Sequence, residues 1–529
     1  LQEDENTWVI PNAAVLDKIV YYVNDTYDIE RTETPTPFSP AGTNIETTNF
    51  VLNLHGFIGY FEGYYDAAYE LALTAPAEMK KTAALPLSRS EYAPDSSSVT
   101  DYYRADRYFD VTDNPMFYGD LDVEEFQVGE ITIVLSVYSP NGIHSAERIK
   151  GTIFDMMQAQ KSYLGDMNST ERYDIYLYLA PQGQTAPTGF GALEHHTSTV
   201  VVLPEGMPEP QLNQTMIDVV SHEFFHIVTP LSVHSEDVHY FDYHAPTFSK
   251  HLWMYEGLTE YFASHFQVYE DLQPVEEFYA KINDKISTSL SLDDAMSFTE
   301  MSEQVLDEPY ASNYYNVYMK GALIGMCMDI LLREQSNGAR SMLSVMKELS
   351  AKYGQEQPFE DDAIIAELTQ MTYPEIGDFL QTHVIGTTPI SYNEFFEKVG
   401  LELGEEEVST SFFFDGEVPF IDGNPSDGSL FFRNVEMNSS IKNLGVQPGD
   451  IFKKLNGTEV SLATVQQFLP LSFQWVEDTD ITITVERDGE ELEFSGQVGT
   501  PVLVKPKLME KEDATEEQVQ LRTYWLEKE

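Results

Sequence analysis

The chain has 529 residues, 42% of them hydrophobic, enough to bury a large core spread over two to four domains. Thirty Lys and Arg stand against 88 Asp and Glu, a formal net charge of −58, which excludes nucleic acid and anionic membrane surfaces because both need basic contacts. No uninterrupted apolar stretch approaches the ~20 residues of a membrane helix, and a single cysteine, Cys327, excludes an intrachain disulfide.

So acidic a surface suits a secreted or periplasmic, salt-exposed protein. The sequence starts at Leu1 with no Met and no signal segment, as expected of a processed or trimmed precursor. Along the chain the pattern predicts a multidomain α+β protein. Residues 1–141 read as a β-rich domain, because 49–61, 67–76 and 129–140 mix apolar, β-branched and aromatic residues between turn clusters. Residues 93–101 are a loop by composition.

Residues 142–401 form the second predicted domain, mixed at first and then helical. An amphipathic helix is expected over 143–162 and strands at 173–181 and 197–204. Helices follow near 214–229, 250–271, 273–290, 315–335 and 339–353, with shorter ones at 358–370 and 391–399. Strand and turn signals return over 402–500, including a DG hairpin within 481–494. Residues 501–529 read as a charged tail with a short helix starting at Thr515, which makes a T-x-x-Q capping pattern with Gln518.

The chemistry concentrates in the helical region. His222, Glu223 and His226 form H-E-x-x-H, and on a helix the two histidines share a face and can offer imidazole nitrogens to one zinc ion. Glu223 points beside the metal, where it can take a proton from the attacking water. Thirty positions after His226, Glu256 opens a second helical segment and supplies a third ligand. Glu260, one turn further, is placed to accept the outer N–H of a ligand histidine. Two histidines and a glutamate leave a fourth position open, as a catalytic zinc site requires. Asp218 precedes His222 by four residues, and a first-turn helix acid is the simpler account of it. His234, His239, His244, His251 and His265 include no helix-spaced pair over 230–246 and read as loop or cleft residues.

Four blocks carry a resemblance: GALEH (191–195), SHEFFH (221–226), LWMYEGLTEYF (252–262) and YMKGAL (318–323). Together they resemble the glycyl-aminopeptidase family of zinc peptidases, over roughly 100–500. The family pairs a thermolysin-like catalytic domain with a PDZ domain. The resemblance implies that 189–204 holds the substrate-side strand, with Gly191 and Ala192 approaching the peptide backbone. Glu194 then binds the free α-amine of a peptide, with His195 and His196 beside it. Tyr318 donates to the oxyanion, with Tyr314 and Tyr315 as nearby competitors.

The implied activity is aminopeptidase hydrolysis of peptides with a free N-terminus, with preference for Gly or Ala. Residues 438–460 resemble the signature portion of a PDZ domain, with 461–471 as groove helix, 428–435 as one candidate for the carboxylate loop, and a peptide as ligand. After the second histidine the run HIVTPLSVHSED (226–237) departs from the family, which carries a Trp and basic residues there. Two alternatives stand beside this reading: a zinc endopeptidase, if Glu194 does not face the cleft, and a PDZ-based peptide-binding scaffold with an inactive metal site.

Overall fold

A computed structural model describes residues 7–28, 38–167, 170–183, 186–187, 189–416, 418–425 and 427–528. The chain divides into two compact units, 1–400 with 512–529, and 401–511.

The first unit begins with β-structure. A four-stranded antiparallel sheet joins Asn44–Ile45, Asn49–Leu52, Met116–Gly119 and Lys80–Ala83, and a three-stranded one joins Tyr69–Pro76, Ser98–Ala105 and Leu87–Tyr92. The central strand of the three starts at Ser98, inside the stretch expected to be a loop. Its Ser-rich approach hides an alternation in which Val99, Asp101, Tyr103 and Ala105 are buried. The expected boundary at 141/142 falls inside this unit, after the strand Ile131–Tyr138.

That strand belongs to a five-stranded sheet in the order Gly191–Glu194, Ser198–Pro204, Arg172–Ala180, Ile131–Tyr138, Asp122–Val128. The two central pairings are parallel, and both central strands are buried almost throughout, as continuous Val/Ile/Leu/Tyr runs predict. Gly191–Glu194 is an edge, antiparallel to its neighbour with Glu194 opposite Thr199.

Helix α1 (Ala146–Leu164) precedes the central strands and is capped by the Ser145 hydroxyl. Helix α2 (Glu209–Phe225) begins five residues before the expected start. Pro208 and Pro210 read as turn signals, but both sit where helix N–H groups lack partners anyway, so they open the helix. A π-helical turn, Trp253–Gly257, leads into α3 (Leu258–Tyr269), followed by α4 (Val275–Leu290) and α5 (Asn316–Ser336). Phe224, Phe225, Trp253, Phe262, Phe266, Phe278 and Phe298 are fully buried among these helices.

The chain returns to this unit after residue 511. Helix α6 (Glu516–Leu526) carries the expected Thr515–Gln518 capping box, with Gln518 N donating to Thr515 Oγ1 at 3.2 Å and Thr515 N to Gln518 Oε1 at 2.8 Å. It is no free tail. Trp525 is fully buried against His265 and Phe278, and its indole N–H donates to Tyr261 Oη at 2.9 Å. The apolar side of α6 is short and interrupted by charges, so composition alone hid its docking.

The second unit is bounded by Leu401–Ser409 and Val502–Glu510, which pair antiparallel along their full length. Between them lie a sheet in the order Ile421–Gly423, Leu430–Phe432, Ile451–Leu455, Asp480–Arg487, Glu490–Gln497, with Thr458–Glu459 also on the third strand, and a helix, Ser439–Leu444. The residues expected as the first part of a charged tail are thus one strand of this ribbon. Only Leu503 and Leu508 are buried along it, five residues apart and so out of step with simple alternation, which is why the sequence pattern does not show this strand.

Candidate metal centre

Helix α2 brings His222 and His226 onto one face, with ring centroids 4.9 Å apart. The π-helical turn presents Glu256 to both: its Oε2 lies 3.2 Å from His222 Nε2 and 3.7 Å from His226 Nε2. One donor atom from each of these three residues lies within 4.8 Å of the others. A π-turn adds one residue to the helical repeat, and such turns recur where a side chain must be re-aimed at a functional site. Sequence periodicity, which assumes 3.6 residues per turn, shows only a helix there.

The outer nitrogen of each imidazole faces an acceptor. His222 Nδ1 is 3.0 Å from Glu260 Oε2, and His226 Nδ1 is 3.1 Å from the Thr229 carbonyl. With the proton on Nδ1 of each ring, where these acceptors receive it, both Nε2 atoms would present lone pairs toward Glu256. Three acceptors facing one another fit a divalent cation, and two imidazoles with one carboxylate are a zinc-type donor set. Without a cation, the alternative relief is protonation of His222. Burial opposes that, but Glu256 and Glu260 draw its pKa well above the ordinary imidazole range.

Glu223 shares the pocket. Its carboxylate, that of Glu194 and a nitrogen of His226 form a second set within 4.8 Å of one another. Burial pushes Glu223 well above the usual carboxylate range, and the charges of Glu194, Glu256 and Glu260 add to this, with only His222 opposing. Four carboxylates around two imidazoles are an excess of negative charge that Lys285 beside Glu260 offsets only in part and that a divalent cation would reduce further.

Glu194 reaches the pocket from the sheet edge, and Gly191 and Ala192 lie upstream on the same strand, opposite Val202 and Val201. The outer side of that strand pairs with no described strand. Behind it, Asp113 accepts from both following histidines, at 3.4 Å from His195 Nδ1 and 3.1 Å from His196 Nδ1. Burial would raise Asp113, but these hydrogen bonds hold it at about 2.

Tyr318, near the start of α5, has its ring centroid 5.9 Å from that of His222, and its hydroxyl meets that of Tyr314 at 3.2 Å. Burial, with Glu256 nearby, pushes the phenol far above its usual range, so it remains a donor. Tyr314 thus sits beside Tyr318 as its partner. The next residues are structural: Lys320 is buried and reaches Asp294 Oδ1 at 3.1 Å, and Gly321 lies against Gly257.

Asp218 is not a first-turn acid and does not reach His222. It lies mid-helix in α2 and accepts from Lys281 Nζ and Gln267 Nε2, both at 3.0 Å. Because α2 starts at residue 209, the turn assigned from a start near 214 was one too late. The further histidines stay out of the metal cluster: His234 Nε2 meets His239 Nδ1 at 2.9 Å, His251 bonds the Asp361 carbonyl, and His265 the Trp525 carbonyl. Sequence reasoning missed Thr229, Asp113 and Lys285, the last paired with Glu260. A backbone carbonyl has no sequence signature, and Lys285 lies 25 residues from its partner on a different helix.

Residues 215–324 match the family model described as M61 glycyl aminopeptidase, and residues 1–120 match that of the M61 peptidase N-terminal domain. Among solved structures, the chain is similar to an aminopeptidase N family protein from Idiomarina loihiensis. The two are 22% identical over 92% of this chain and 83% of that one, with a TM-score of 0.66, a likeness of fold. An M1 zinc metallopeptidase from Deinococcus radiodurans also matches, at 16% identity over 67% of this chain and 74% of that one, TM-score 0.45. No curated protein matches the chain.

Proposed function

Since the chain belongs to the M61 glycyl aminopeptidase family of metallopeptidases, we propose that it is a zinc-dependent aminopeptidase removing residues from the free N-terminus of peptides, with small residues such as Gly and Ala preferred. The observation that carries this reading is the overlap of the two donor sets: His222, His226 and Glu256 on one side, Glu194 and Glu223 on the other, sharing His226.

In this reading His222, His226 and Glu256 hold the ion, and Glu260 fixes the orientation of His222. A zinc ion there supplies Lewis acidity to the scissile carbonyl and the attacking water. Glu223 takes the proton from that water and passes it to the leaving amine. Tyr318 donates to the oxyanion. Glu194 binds the substrate α-ammonium, and the open edge at Gly191 and Ala192 receives the peptide backbone as an added strand. An ammonium anchor beside the general base rewards only substrates whose scissile bond follows the first residue.

The second unit is read as PDZ-like, on the run of a helix (Ser439–Leu444), a Gly445–Asp450 turn and a strand (Ile451–Leu455), with an extended peptide as its ligand. The division into a β-rich N-terminal domain to residue 141 and a thermolysin-like catalytic domain belongs to the same reading. So does export, to which a net charge of −58 is suited.

The test is metal analysis together with hydrolysis of Ala-p-nitroanilide and of its N-acetyl counterpart, with and without chelator. One zinc per chain and chelator-sensitive cleavage of the free-amine substrate alone are expected. Equal cleavage of both substrates would make the enzyme an endopeptidase. Absence of zinc with persistent peptide affinity would leave a binding scaffold. Glu223→Gln should keep the zinc and lose about 10²–10⁴-fold in kcat.

A further inference from the structure

The residues closest to the metal do not explain why Glu260 stays in place. It is a carboxylate in a pocket that already holds Glu194, Glu223 and Glu256, and repulsion favours turning it outward. One oxygen, Oε2, faces His222 Nδ1 at 3.0 Å. The other, Oε1, is met by Lys285 Nζ from the C-terminal half of α4, whose side chain is 13% exposed. We infer that Lys285 is a positioning residue of the metal site: it pins Glu260 by its free oxygen so that the other oxygen holds the His222 imidazole with Nε2 toward the ion.

This rests on the metal reading above and adds a third link to it. The geometry is a line of contacts from Lys285 through Glu260 and His222 to Glu256 Oε2, at 3.0 Å and 3.2 Å for the last two steps. Each side chain in it is mostly enclosed, with exposures of 13%, 22%, 11% and 16% in that order, so water competes poorly for any step. One turn before Lys285, Lys281 makes a comparable contact with the other ligand-bearing helix, 3.0 Å from Asp218 Oδ1. Helix α4 thus lays two ammonium groups, four residues apart, across α2 and α3. The Lys281 pair is the more open, with Asp218 at 42% exposure, and it touches no ligand. A surface pair of that kind has little to give. In a chain with 30 basic residues against 88 acidic ones, an ammonium enclosed at this point is a specific use of a scarce charge.

The test is zinc affinity by competition with a chromophoric chelator, on the full chain, for wild type, Lys285→Met, Lys285→Arg, Lys281→Met, Glu260→Gln and the Glu260→Gln/Lys285→Met double variant. Partners of metal-ligating histidines set affinity by about 10–100-fold. Lys285→Met is therefore expected to weaken zinc binding about 10-fold, Lys285→Arg to restore it, and Lys281→Met to leave it unchanged. On the Glu260→Gln background, Lys285→Met should add nothing, since the carboxylate it pins is gone. Wild-type affinity in Lys285→Met, or an equal loss on both backgrounds, overturns the inference. If Lys285→Met does not fold, Lys285→Gln is measured instead, and wild-type affinity there overturns it equally. A wild-type chain that binds no zinc overturns the metal reading as well, whereas tight wild-type binding with an unaffected Lys285 variant overturns this inference alone.

Discussion

Gly257 and Gly321 lie back to back. A Cβ built on Gly257 falls 2.6 Å from both the Cα and the carbonyl carbon of Gly321, and one built on Gly321 falls 2.7 Å from Gly257 Cα. This contact lets the π-helical turn carrying Glu256 rest directly on α5, three residues beyond Tyr318. One turn later Gly325 repeats the approach, with Leu258 Cδ2 at 2.9 Å and Tyr261 Cβ at 3.0 Å from its notional Cβ. The obstacle at Gly257 and Gly321 is backbone, so neither helix can yield by turning a side chain. Gly321→Ala should push the two elements apart, costing about 1–3 kcal/mol of stability. Its kcat should fall more steeply than that of Ala322→Gly, because the change moves Tyr318 relative to the metal ligands. Chemical denaturation and kcat on the same preparation check this; unchanged values for both would mean the helices have slack that the glycine pair does not suggest.

Tyr318→Phe removes one hydroxyl and little volume. If that hydroxyl serves the oxyanion, kcat should drop about 10²–10³-fold with KM nearly constant, as for other single oxyanion donors. Tyr314→Phe should cost far less, since its hydroxyl meets Tyr318 and not the reacting atoms. Steady-state kinetics of the pair separate the roles; a larger loss in Tyr314→Phe would exchange them.

Asp113 braces the turn after Glu194 through His195 and His196. Asp113→Asn leaves both imidazoles with a weaker partner in an enclosed place, a cost of about 1–3 kcal/mol, and should raise KM more than it lowers kcat. The pair also fixes a pH window. The Asp113 pKa is depressed to about 2, so its contribution is present above the unfolded value and is lost as pH falls toward 2. For His196, burial opposes protonation, but Asp113 outweighs it and raises the pKa above 6.5. That contribution is present below 6.5 and is lost as pH rises through the raised value. The wild-type minus Asp113→Asn difference in unfolding free energy should therefore be largest between about pH 4 and 6.5 and shrink on both sides. A difference flat from pH 3 to 9 would show that the charges do not matter.

Trp525→Ala should destabilise the first unit by about 3–5 kcal/mol, the range for a large buried aromatic. It empties the space between His265 and Phe278 and leaves Tyr261 without its indole donor. Tyr261 lies on α3 next to Glu260, so zinc affinity should weaken along with the melting temperature. A melting temperature equal to wild type would mean α6 contributes nothing to the unit it packs on.

Much of the site was legible because its chemistry is local. H-E-x-x-H needs only a helix to bring His222 and His226 together, and the capping pattern at Thr515 needs only the next turn. Gly321 lies in the YMKGAL block, but its contact with a second glycine 64 positions earlier in the chain has no local signature. The edge position of Gly191–Glu194 depends on which strand pairs with which, a matter of sheet order and not of the strand's own residues.

By itself the sequence determined the H-E-x-x-H spacing, the helix that carries it and the excess of acidic charge, because these follow from spacing within one element or from composition. Only the tertiary structure decided that the last helix packs on α3 and α5, that Asp218 belongs to Lys281 and not to His222, and that Glu260 is held from behind by Lys285. Those are contacts between segments 25 to more than 250 residues apart. Side chains meet there because backbones pack, and no local preference of either residue encodes its partner.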